Sequence, residues 1–446
     1  MESGLDSKGL HVSRTDRDIA IVGMSCLFPG APNLRTYWQN ILSKVDAVSE
    51  PSEQWNAEFF FDPDAEANDR IYCKRGGYLK EWAEFNPLQY GVMPNSVPGS
   101  DPGHFLALRV AYESLADAGY IEKPVDGARV EVILGKGTHF GPADVNAIQH
   151  TVVIDQTIRI LKQLHPEHTE QELEAIKQEL KSGLDPFNAE TVPGLVSNIT
   201  TGRINNRLDF MGANYTVDAA CASSLIAVER GIQDLLAGKC DMALVGGIEP
   251  CMPPLVLMVF CQINALSRQG RIRPFDKDAA GTVLGEGVGI VALKRKQDAE
   301  RDGDRIYALI KGVGVSSDGR GPGLLAPRLE GEALALERAY QDARLSPQTV
   351  GLIEAHGTGV PLGDVTEIQA LTRIFGLRRG AHPSCAIGSV KSMVSHLVHA
   401  AGIAGLIKAA LAIYHKVLPP TLNCDDVNPE LELEKTPFYI NTETRP

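Results

Sequence analysis

Seven short runs, rich in β-branched residues and mostly bounded by Gly or Pro, constrain the fold of this chain more than any other feature. They are "DIAIVGMSCLFPG" from Asp18, "VEVILGKG", "DMALVGGIE", "GIVALKR", "YALIKGVGV", "VGLIEAHG" and "SCAIGSV". Such runs read as buried strands. Many are followed by apolar or amphipathic helical stretches, as at 330–343 and 365–375. Strands alternating with helices predict an α/β fold with largely buried sheets. With 446 residues, 43% of them hydrophobic, the chain can bury a large core, in one big domain or two fused halves.

The chain carries 43 basic against 56 acidic residues, a net charge of −13. That balance speaks against broad attraction to nucleic acid or anionic lipid. Residues 1–17 are polar, mixed in charge and lack an apolar stretch. They read as a flexible lead-in rather than a signal peptide, and the expected location is cytoplasmic. The apolar segment "LVHAAGIAGLIKAALAIYHKVL" from Leu397 is interrupted by His399 and Lys408, which suits a buried helix better than a membrane span. The eight cysteines form no CxxC pair and no Cys/His cluster with zinc spacing, so neither a metal site nor a disulfide framework is indicated.

The Gly-rich stretch "RIRPFDKDAAGTVLGEGVG" around residue 275 marks a crossing between two halves, 18–275 and 276–446. Its Gly285-Glu286-Gly287 lacks the lysine and the strand-to-helix context of a phosphate loop and reads as a structural turn. A helical insertion is expected near 150–185. There Thr169 and Glu172 form a capping box, Leu173, Ile176 and Leu180 share a face, and Gly183 sits at the C-cap of an exposed amphipathic helix.

In "TVDAACASSLIAVERGIQDLLAG", 216–238, Thr216 and Val217 end a strand, and the apolar residues from Leu225 repeat at helical spacing. Cys221 therefore stands at the first turn of a helix, where free backbone N–H groups and the dipole favour thiolate. Two histidines occupy matching places. His356 follows "GLIEA" before a helix whose start is signalled by Asp364 and Glu367 at capping-box spacing, and His396 follows "CAIGSV" before the apolar helix. All three lie past the carboxyl ends of strands, where open α/β sheets hold their sites. The remaining histidines read as loop or packing residues, His399 among them.

The motifs "VDAACASSL", "EAHGTGVPLGD" and "GSVKSMVSHLVHAAG" closely resemble the three signatures of β-ketoacyl synthases, above all the ketosynthase domains of polyketide and polyunsaturated fatty acid synthases. The resemblance implies the thiolase fold: two similar halves in five αβαβα layers, in a homodimer. It implies a decarboxylative Claisen condensation between an acyl chain on Cys221 and a malonyl unit on an acyl carrier protein, with His356 and His396 polarising the thioester carbonyl. Lys391 and Glu367 would support the site, and Thr358 would contact pantetheine. Substrates would arrive as acyl and malonyl thioesters on the carrier's phosphopantetheine, and no cofactor is implied. Lys74, Arg75, Arg271 and Arg273 are candidates, by local charge density, for a basic carrier-binding surface. Val360, Met393 and Ser395 depart from the usual HGTGT and KSNxGH patterns, which bears on carrier binding and the loop before His396 rather than on the chemistry, and "DPGHF" departs from DPQQR, which points to a less common iterative subclass. The family continues past a segment like "FYINTETRP" into a Gly-Phe-Gly-Gly loop, so a fragment with reduced activity is expected. The alternative from another class is a non-elongating, scaffold-like partner that binds carrier protein, and Cys221 argues against it.

Overall fold

The computed structural model describes residues 17–52, 57–66, 68–137, 141–321 and 323–446. The lead-in expected over 1–17 lies, but for Arg17, outside the described residues. Each of the seven runs contains a strand. β1 (Ile19–Leu27), β2 (Val130–Gly135), β3 (Asn214–Val217), β4 (Met242–Glu249), β5 (Gly287–Arg295) and β6 (Ala308–Ile310) form one sheet in the order β3-β2-β4-β5-β1-β6. Its β3-β2-β4 part is parallel, and β5 lies antiparallel between β4 and β1. β7 (Leu352–Glu354), β8 (Cys385–Gly388) and β9 (Phe438–Ile440) form a second, parallel sheet.

Every residue of β1, β2 and β4 is buried, which is why these strands read as unbroken apolar runs rather than alternating ones. Two cores cover the two faces of the first sheet. On the outer face, helix Pro102–Asp117 packs its buried Phe105, Leu108 and Val110 with Val22, Val132 and Leu244. On the inner face, helices Ser223–Leu236 and Ala401–His415 pack Val228, Ile232, Ile403 and Ile407 with Ile21, Ile133, Val245 and Val291. Beyond the second sheet, the contacting helices Leu329–Ala343 and Pro361–Phe375 bring Ile368, Leu371 and Phe375 together with Cys385, Ile387 and Phe438. The order is helices, sheet, helices, sheet, helices: five layers.

The division expected between 275 and 276 does not follow the sheets. β5 and β6 lie beyond it yet belong to the first sheet. The reason is the Gly-rich stretch itself, which does not open a new layer but is tied in by isolated bridges: Leu266 pairs with Thr282, Leu284 with His396, and Gly77 with Gly285.

The segment Val398–His415 has the length and mean hydropathy, 1.3, of a membrane span. Its Lys408 is only 1% exposed and pairs with Glu354 at 2.6 Å, and the helix fills the central layer. The expected helical insertion consists of Pro142–Ile148, a π-turn at Gln149–Val153, Ile154–Leu164 and Glu170–Ser182. The Thr169/Glu172 capping box opens the last of these, where Leu173 is buried and Leu180 exposed.

Candidate active site

The turn after β3 is built from small residues because its backbone is tightly wound. Ala220 adopts φ 49°, left-handed, and Ala220–Ala222 forms a single 3-10 turn leading into helix Ser223–Leu236. Side chains hold the turn: Asp218 accepts the Ala220 N–H at 3.0 Å, and Ser223 Oγ accepts from Ala219 N at 2.8 Å and donates to Ala220 O at 2.7 Å. Cys221 is half-buried in it. The expected easing of its ionisation is not the net outcome. Burial pushes the thiol above its ordinary value, against the pull of the Lys391 ammonium and the residue's own N–H, with Glu249 adding to the rise. Desolvation of the charge outweighs the helix start.

His356 and His396 come together edge to face, with ring centroids 5.5 Å apart and planes at 88°. His396 is buried at the bridge to Leu284, its N–H donating to Val283 O at 2.8 Å. Its Nδ1 accepts the Val398 N–H at 3.0 Å, so in the neutral ring the proton resides on Nε2. His356 is exposed. Both imidazoles are held below the ordinary value, by crowding first and the Lys391 ammonium second, and so are uncharged at neutral pH. The turn bearing Cys221 contacts the turn Val398–Ala400, two residues past His396.

Lys391, buried, donates from Nζ to His356 O at 2.6 Å. Glu367 accepts the N–H groups of His356 at 2.6 Å and Gly357 at 2.9 Å. The sequence reading of Asp364 and Glu367 as a helix-start pair does not hold. The helix already begins at Pro361 after Val360, and both carboxylates reach back to the loop instead. Asp364 accepts from Thr358 N at 3.1 Å, Gly359 N at 3.3 Å and Phe275 N at 2.8 Å. Burial pushes Asp364 up to about 7 and Glu367 above its ordinary range. Thr358 is buried in the same loop.

The sequence reading also missed the role of Glu249, which ends β4 and bonds His399 Nδ1 at 2.7 Å; His399 Nε2 lies 3.6 Å from Asp218. A carboxylate closing the otherwise apolar run "MALVGGIE" is the signal that could have found it. The proposed basic surface is largely neutralised. Lys74 pairs with Glu58 and Glu50, Arg75 with Glu50 and two backbone carbonyls, and Arg273 with Asp276 and Asp425, while Arg271 is exposed. Among the described residues no three His, Cys, Asp or Glu side chains gather as a metal cluster.

The chain is similar to proteins of one family along both of its halves. Residues 16–299 match the N-terminal domain of β-ketoacyl synthases and residues 307–425 their C-terminal domain. The chain is 36% identical, over 97% of its length, to one subunit of the polyunsaturated fatty acid synthase from a Thraustochytrium species, and 35% identical over 96% to polyketide synthase PksN of Bacillus subtilis. It spans only 15% and 7% of those relatives. Among solved structures, the ketosynthase from module 6 of the Bacillus subtilis bacillaene synthase superposes with a TM-score of 0.79 at 33% identity, over 96% of this chain and 67% of that one. An oxazolomycin ketosynthase domain from Streptomyces albus gives 0.80 at 30% identity, over 96% and 68%. With the motifs, the five layers and both halves matched, this chain, a thiolase-fold ketosynthase domain, belongs to the β-ketoacyl synthase family of condensing enzymes.

Proposed function

We propose that the chain catalyses decarboxylative Claisen condensation in polyketide or fatty acid chain elongation. The Cys221 thiolate attacks the carbonyl of an acyl thioester carried by the phosphopantetheine of an acyl carrier protein; the pantetheine thiol leaves, and the acyl group stays on sulfur. A malonyl thioester then binds with its carbonyl oxygen on the Nε2–H of His396 and the imidazole of His356. The bond to the carboxylate breaks, CO2 departs, and the electron pair forms an enolate whose oxygen the two donors stabilise. The enolate carbon attacks the acyl-Cys carbonyl, with the Cys221 N–H as one donor to the oxyanion, and the C–S bond breaks to restore the thiolate. Lys391 and Glu367 position the loop of His356, and Thr358 contacts pantetheine.

One observation carries this reading: two facing, uncharged imidazoles, one with its proton assigned to Nε2, beside a cysteine turn. Two N–H donors suit an enolate oxygen, whereas an imidazolium would protonate the enolate carbon. The reaction needs no cofactor beyond the carrier's phosphopantetheine. The partners are the carrier protein and a second copy of the chain, and the setting is cytoplasmic. The test is intact mass after incubation with acyl thioesters: one acyl adduct on the parent and none on Cys221→Ala. An adduct that survives the substitution, or none on the parent, overturns the proposal.

A further inference from the structure

A cavity of about 130 Å³ opens between the carboxyl ends of β2 and β4. It adjoins the nucleophile turn. Gly135, which precedes the lining residue Lys136, packs so closely on Ser223 and Ser224 that a Cβ there would lie 2.6–2.7 Å from them. Glu249, also in the wall, bonds His399 and acts on the Cys221 thiol.

Five polar side chains, Asp101, Lys136, Asp144, Ser197 and Glu249, line it beside apolar ones such as Leu195 and Ile248. Lys136 is 8% exposed, and its Nζ donates to Asp101 Oδ2 at 3.1 Å and to Thr200 Oγ1 at 2.9 Å. An ammonium has three donors, and these bonds use two. We infer that Lys136 makes this cavity a specificity pocket for short, uncharged acyl groups bearing a hydroxyl or oxo oxygen, an inference that rests on the condensation reading above.

Three arguments support it. A cavity of about 150 Å³ holds benzene, so this one takes a tail of about six heavy atoms. A plain alkyl tail would leave the buried ammonium's third donor without an acceptor, whereas a substrate oxygen satisfies it. Among the described lining residues the cavity holds one ammonium and three carboxylates, Asp101, Asp144 and Glu249, so a tail ending in its own carboxylate is repelled.

The experiment follows acylation of the full chain over time by intact mass, with β-hydroxybutyryl-, butyryl- and succinyl-pantetheine as donors. β-Hydroxybutyryl is expected to load about tenfold faster than butyryl, the usual order for one hydrogen bond to a charged group, with succinyl slowest. In the paired variant Asp101→Asn/Lys136→Met, which removes both charges together, the hydroxybutyryl-to-butyryl ratio is expected to fall to about one. A ratio near one in the parent, or an unchanged ratio in the folded variant, overturns the inference. If melting shows that the variant does not fold, the parent's ratio alone decides. Loading by none of the three donors would strike the condensation reading itself; loading without discrimination would strike only the pocket.

Discussion

A neutral imidazole has one proton to give, and the partner of its other nitrogen decides where that proton sits. For His396 the Val398 N–H occupies Nδ1, and the donor is aimed by backbone geometry alone. Removing one such preorganised donor typically costs about 10²–10³ in rate, and His396→Ala is expected to slow CO2 release from malonyl carrier by that much. pH separates the two chemistries. Both histidines sit below their ordinary 6.5 and Cys221 above its ordinary 9.0. Decarboxylation should therefore stay level from pH 6.5 to 8, while acylation climbs about tenfold per unit as the thiolate fraction grows. A decarboxylation profile with a midpoint near 6.5 would show that one imidazole titrates freely. The motif around Cys221 pointed to the proposed chemistry, but its neighbours in sequence did not reveal the sign of the thiol's shift. That sign depends on Lys391, Glu249 and the depth of the turn, all set by tertiary packing.

The elements that carry these side chains can be tested in the same way. Gly135 ends β2 against the start of helix Ser223–Leu236, and any side chain there must push the helix away. Gly135→Ala is expected to cost about 1–3 kcal/mol by overpacking and to slow Cys221 acylation, because the displaced helix begins two residues past the thiol. Normal acylation with a lowered Tm would separate packing from the site. Asp364 carries a linkage prediction. It is pushed from an ordinary 3.8 up to about 7 by burial, so between those values the folded chain holds a proton that the unfolded chain has lost. Its contribution to stability therefore falls as pH rises through that window. Asp364→Asn does not titrate, so its stability deficit against the parent, read from urea midpoints, should shrink from pH 4 to 7. A widening deficit would mean that the three N–H donors outweigh burial. Long apolar strands such as β1 and β4 were legible because burial on both faces leaves no alternation to misread. The three-residue β9 was not, since "FYI" passes straight into the polar "NTET" without the flanking glycines that mark the equally short β6 and β7. The reach of Asp364 back to Phe275 was hidden as well, because its spacing to Glu367 mimics a cap.

At the scale of the whole molecule, the first sheet ends in an unfinished edge. In the β2–β3 ladder the Val132 and Lys136 N–H groups bond to the carbonyls of Ala213 and Val217, so the alternate residues Asn214 and Thr216 turn their backbone groups away from β2. β3 is the outer strand, and all four of its residues are only half-buried. A short edge of this kind either stays wet or pairs with another strand, and pairing with its own copy about a two-fold axis would satisfy both edges at once. Exposed Val152, Val153, Ile160 and Leu164 on the helical insertion are further apolar surface for a second copy to cover. β3 feeds directly into the turn of Cys221, so an association through this edge would brace the nucleophile. Thr216→Pro removes one outward N–H without touching the bonds to β2. Sedimentation is expected to show a mass near the 48.2 kDa of one chain for the variant and twice that for the parent, with slower acylation in the variant and a Tm that confirms folding. A variant that remains a dimer would place the interface elsewhere, and a monomeric variant with full acylation rate would show that the thiol needs no support from a partner.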